Sequence, residues 1–175
     1  MKVWYLIFLG MVLSLSGYSQ KSDTLVYNPE KKLTWDDFKG KPNYSRSEAG
    51  AQIIVSINLR VKKVSFWSGK TTYDVYAIAF RNQSWVKPGY KDAYTLAHEQ
   101  VHFDIAHIFA ETLELQLNSL GADEQKEKVE ELLQKNSREM GQYQVLYDRE
   151  TNGGNNKTKQ KQWAEKIAAD LKILI

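Results

Sequence analysis

The spacing of hydrophobic and polar residues changes character along this chain. From Gln52 to Lys62 they alternate, with Ile53, Val55, Ile57, Leu59 and Val61 on one side and mostly polar residues on the other. A period of two predicts a half-buried strand. Ser68-Gly69 marks a turn, and Thr71 to Phe80, rich in Thr, Tyr, Val and Ile, predicts an antiparallel partner. Beyond Trp85-Val86-Lys87-Pro88-Gly89 the period becomes helical, with Asp92 as N-cap of a helix from Ala93 to about Ser119 that Gly121 stops. Asp123 opens a second, highly charged helix reaching about Tyr147. After the break Asn152-Gly153-Gly154-Asn155-Asn156, Lys157 to Leu174 reads as a third. Upstream, Thr34 and Asp37 have capping-box spacing, which predicts a single helical turn laying Trp35 and Phe38 onto the core. Trp67, Tyr73, Tyr76, Phe80 and Trp85 fall in or beside strands and are expected to pack across the sheet. The expected fold class is α+β: a small antiparallel sheet packed on the first helix, with two further helices behind.

Composition narrows the setting. A length of 175 residues favours one domain. Lys2 followed by the apolar run Val3 to Leu15 and the polar segment Ser16 to Gln20 reads as a signal peptide over residues 1–20. Residues 21–175 are then a single mature domain, expected to be secreted or periplasmic with no stable membrane anchor after signal cleavage. Cysteine is absent, which excludes disulfides and a lipid-modified cysteine. A net charge of +3 is too small to suggest a nucleic-acid partner without a concentrated basic face. The lysines near the C-terminus are interspersed with Glu165, Asp170 and apolar residues, as on the solvated face of an amphipathic helix.

The candidate chemistry lies in the first helix, where His98-Glu99-Gln100-Val101-His102 fits the H-E-x-x-H pattern of zinc hydrolases. At about 100° per residue, His98 and His102 stand one turn apart on one face, so both imidazoles can reach one zinc ion. Glu99 is then the candidate general base toward a water made acidic by the metal. The third histidine, His107, lies about 140° around the helix from His102 and cannot complete the same tetrahedron. Asp104, Glu111 and Glu114 also point away, so the third ligand must be an oxygen donor from another element.

Three segments together carry a resemblance: Leu33-Thr34-Trp35-Asp36-Asp37-Phe38, His98 to Ile105, and Tyr147-Asp148-Arg149-Glu150-Thr151 with Gln160 and Trp163 downstream. In these the chain resembles an uncharacterised bacterial family of predicted secreted zinc-dependent proteases, over nearly all of the mature sequence. The resemblance implies a zincin-like domain that hydrolyses peptide bonds in a peptide or protein substrate. It points to Asp148 as third zinc ligand, with Glu150 or none as alternatives, and to Tyr147 as a possible donor to the substrate oxyanion. That family usually has a histidine where this chain has Gly153, which keeps open a weakened site. The alternative reading is an exported metal-binding or catalytically silent domain that binds an envelope partner. A strand at the sheet edge could pair with an extended substrate backbone, and Thr71 to Phe80 is the expected edge.

Overall fold

The computed structural model describes residues 23–174, so the expected signal segment lies outside the described residues. A short strand β1 (Thr24–Val26) leads to a 3-10 turn at Trp35–Asp37 and to β2 (Ala51–Gln52). The long hairpin β3 (Val55–Val64) and β4 (Thr71–Phe80) follows, then β5 (Trp85–Val86) and the helices α1 (Ala93–Ser119), α2 (Ala122–Thr151) and α3 (Lys157–Ile173). β1, β4 and β3 form an antiparallel sheet in that order, and β2 pairs with β5 in a separate two-stranded ribbon. The α+β class expected from the sequence is the one observed.

Local chemistry explains most boundaries. Asp92 caps α1 by accepting the Tyr94 and Thr95 amides at 2.9 and 2.8 Å. The Asp37 carboxylate accepts both the amide and the hydroxyl of Thr34, and Phe38 is buried as the capping-box spacing predicts. α2 runs one turn past its expected end, to Thr151, and stops on Asn152, Gly153 and Gly154, all with positive φ. α1 is wedged between two apolar layers. Phe103, Ala106, Ala110, Leu113 and Leu117 pack with Val75, Ala77 and Ala79 of the sheet. Val101 and Ile105 pack with Tyr147 of α2 and with Trp163 and Ile167 of α3. The completely buried Ala106 and Ala110 let the helix lie close against the strands.

Two expectations are corrected. Trp67 does not pack across the sheet: with Phe66 it stands at the hairpin tip, more than 90% exposed. β4 is not an edge open to a substrate. β1 covers its C-terminal half, and side chains of the helices take most of the outward-facing backbone groups of the rest. Gln125 bonds both the amide and the carbonyl of Thr71, Asn118 does the same for Tyr73, and Glu114 accepts the Val75 amide at 2.7 Å. The alternation along a strand brings residues 71, 73 and 75 to one edge, where helical side chains substitute for a neighbouring strand. Asn118→Ala would strand two backbone groups and is expected to lower stability by about 1–2 kcal/mol. A thermal melt should register this as a Tm lower by roughly 3–6 °C.

Candidate metal centre

One face of α1 meets one face of α2 at the centre. His98 and His102 come from α1, and Gln144, Tyr147, Asp148 and Thr151 stand at helical spacing on α2. His98 Nε2 and His102 Nε2 lie 3.1 and 3.0 Å from the same oxygen, Asp148 Oδ1, and 3.3 Å from each other. A tetrahedral zinc ion with bonds of about 2.0–2.1 Å holds its donors about 3.3 Å apart. The three atoms are therefore spaced as two nitrogens and one oxygen around a single ion would be.

The hydrogen-bond polarity of His102 bears on what binds there. Gln144 donates through Nε2 to the His102 carbonyl at 2.9 Å, which turns its Oε1 onto His102 Nδ1. An amide oxygen only accepts, so Nδ1 carries the proton and the neutral ring directs an Nε2 lone pair at the Asp148 carboxylate. Lone pair against carboxylate is repulsive unless a cation stands between them or the ring takes a second proton. Two imidazolium rings with their nitrogens 3.3 Å apart would repel each other. One metal ion satisfies all three donors together, so the residues fit a zinc site.

Charge state follows the same contacts. Burial works against a charged His102, but its hydrogen bond to Asp148 and the nearby Glu99 carboxylate outweigh burial and raise its pKa above 6.5. Burial likewise opposes ionisation of Asp148, yet hydrogen bonds and positive charge from His102 and His98 hold its carboxyl well below the usual carboxylate range. A depressed carboxyl contributes stability above its unfolded value of 3.8, lost as pH falls through the folded pKa. A raised imidazole contributes stability below 6.5, lost as pH rises through the folded pKa. The metal-free chain is therefore expected to melt at a lower temperature at pH 8 than at pH 6. Added zinc, which needs deprotonated imidazoles, should raise Tm more at pH 8 than at pH 6. Differential scanning fluorimetry at the two pH values checks both signs.

Glu99 is 3% exposed, and its Oε2 accepts the Ile53 amide at 2.7 Å. This contact explains why the predicted strand Gln52–Lys62 is interrupted. The Ile53 and Ile54 amides leave the ladder, one for Glu99 and the other for Ser84 Oγ at 2.9 Å. Burial raises the Glu99 pKa, partly offset by His102 and His98.

The other candidates separate clearly. Glu150 turns to α3, where it accepts Trp163 Nε1 at 2.9 Å, so Asp148 and not Glu150 joins the histidines. Tyr147 is completely buried behind the imidazoles, stacked on His98 at 4.6 Å, with its hydroxyl donating to the His98 carbonyl at 3.4 Å. Burial, then the Glu99 and Asp148 charges, push its pKa far up, so the phenol stays protonated. That position suits support of the imidazoles and corrects the expectation of an oxyanion donor. His107 stacks on Tyr27 at 4.1 Å, away from the centre. A side chain built at Gly153 would meet nothing within 4 Å, so the three donors converge without help from that position. Gln144 was not legible as a site residue, and its only sequence signal is the four-residue spacing to Asp148 on a helix.

The fold and this cluster define an α+β protein with a candidate two-histidine, one-carboxylate metal centre. Residues 85–154 match the model of a family described as bacterial protein of unknown function (DUF922), a segment that contains all three donors and Glu99. This agrees with a resemblance to an uncharacterised bacterial family, and the description assigns no activity. No curated protein and no solved structure matches the chain. Among the described residues no helix is long and apolar enough to cross a membrane.

Proposed function

We propose that this chain is an exported zinc-dependent hydrolase acting on peptide bonds. The observation that carries the reading is the convergence of His98 Nε2, His102 Nε2 and Asp148 Oδ1 within 3.3 Å of one another, beside a buried Glu99. His98, His102 and Asp148 would hold the ion. Zinc, when bound, supplies Lewis acidity and makes a water acidic near neutral pH.

The protein's own groups divide the remaining work. The imidazoles are closed off, with side chains 7 and 13% exposed, whereas the Asp148 side chain is 53% exposed. The centre therefore opens to solvent on the Asp148 side, and substrate would enter there. Glu99 is pinned by the Ile53 amide and carries a raised pKa, which makes it a better base than a solvated carboxylate. It would take a proton from the attacking water and return it to the leaving amine. Gln144 fixes the His102 tautomer, and Tyr147 supports both rings from behind.

The test is cleavage of a broad peptide library by the purified zinc form. Cleavage that a chelator abolishes and added zinc restores supports the proposal. A fully zinc-loaded chain that cleaves nothing favours a metal-binding domain without catalytic activity.

A further inference from the structure

Two buried polar atoms next to the centre have no hydrogen-bond partner among the described residues, His98 Nδ1 and Gln160 Oε1. Their residues are 6 and 4% exposed, so bulk water does not stand in for a partner. Both atoms lie against Gly154, where an added Cβ would come within 3.2 Å of Gln160 Oε1 and 3.4 Å of His98 Nδ1. The Gln160 side chain is already oriented, because its Nε2 donates to the Tyr94 carbonyl at 3.2 Å. Its oxygen is thereby turned away from Tyr94. The Gly154 turn is also tied down, since its carbonyl accepts the Tyr94 hydroxyl at 2.6 Å.

These two unsatisfied atoms are complementary. An amide oxygen can only accept, and an imidazole nitrogen can carry a proton. We propose that Gln160 is the positioning residue for His98: the two atoms, unpaired in this structure, close into a hydrogen bond in which Oε1 accepts the Nδ1 proton and the Nε2 lone pair is left directed at His102 and Asp148. This inference rests on the metal-centre reading of the same site. It gives His98 what Gln144 gives His102, from a different helix, with α2 setting one ring and α3 the other. α3 contributes no candidate ligand, and Gln160 makes it part of the centre all the same. Gly154 then has a steric role. At φ +86° it suits glycine, and any side chain there would press on both members of the pair.

The test uses the full mature chain and Gln160→Met, which keeps the length and packing of the side chain but removes the acceptor. Zinc affinity, measured by competition with a chromophoric chelator, should fall roughly 10- to 100-fold in the variant. The visible spectrum of the cobalt-substituted form should shift, and the Tm of the metal-free chain should fall by no more than a few degrees, because the variant also gives up the bond to the Tyr94 carbonyl. Nitrogen-15 spectra of the imidazoles read the pairing directly. The parent should show His98 protonated at Nδ1 with a slowly exchanging proton, and Gln160→Met should lose that proton. Unchanged affinity, cobalt spectrum and Nδ1 signal in Gln160→Met would overturn the inference. Should the parent bind zinc no better than His98→Ala, the metal reading itself fails. The metal-free nitrogen-15 spectra then still decide the pairing, since the same His98 tautomer in parent and variant contradicts it.

Discussion

Glu99→Gln is expected to leave zinc binding intact and to reduce peptide hydrolysis by about 10²- to 10⁴-fold, the usual contribution of a positioned general base. Glutamine has nearly the same shape, and its amide oxygen can still accept the Ile53 amide that Glu99 accepts at 2.7 Å. What disappears is the basic site, and with it a buried negative charge whose pKa burial has raised. The variant should therefore fold at least as stably as the parent, which separates a chemical loss from a structural one. The readouts are initial cleavage rate, zinc content and Tm on one preparation. A variant that cleaves as fast as the parent would remove Glu99 from the mechanism.

His98→Ala is expected to lower zinc content from about one ion per chain to nearly none. Two donors remain after the substitution, against the three protein ligands usual at a catalytic zinc site. Asp148→Asn should weaken binding for a related reason, since a neutral amide oxygen replaces the carboxylate that both imidazoles face at 3.0 and 3.1 Å. Glu150→Gln is the internal control: that carboxylate is engaged with Trp163, and its loss should leave zinc content unchanged. Elemental analysis after gel filtration in metal-free buffer distinguishes these cases.

The sequence disclosed the elements whose causes are local. Asp92 and Gly121 mark the limits of α1, the Thr34–Asp37 box forms, and the 3.6-residue period yields three helices close to their observed limits. Two members of the centre were legible for the same reason, because His98 and His102 owe their proximity to a single helical turn. The third donor was not legible from spacing, and only the family resemblance pointed to it. Asp148 stands 46 residues beyond His102, and only the packing of α2 on α1 brings it to both rings. Gln144 escaped notice because glutamine on a polar helix is unremarkable until its tertiary partner is known.

The strands formed over Thr71–Phe80 and most of Gln52–Lys62, and the expectations departed from the structure only where side chains replaced backbone partners. The alternation of Gln52–Lys62 is real, yet Glu99 and Ser84 draw the Ile53 and Ile54 amides out of the ladder. Thr71–Phe80 reads as an edge in one dimension, but Glu114, Asn118 and Gln125 reach across from α1 and α2 to close it. Neither contact leaves a periodic trace, since each joins residues 30 or more positions apart.

X-ray absorption at the zinc edge, on the chain purified without added metal and then loaded with one equivalent, is the most direct measurement. Two imidazole nitrogens at about 2.0–2.1 Å and oxygen at about 2.0–2.2 Å are expected, with the imidazole scattering reduced in His102→Ala. An edge showing only oxygen neighbours, or a spectrum that His102→Ala leaves unchanged, would contradict it.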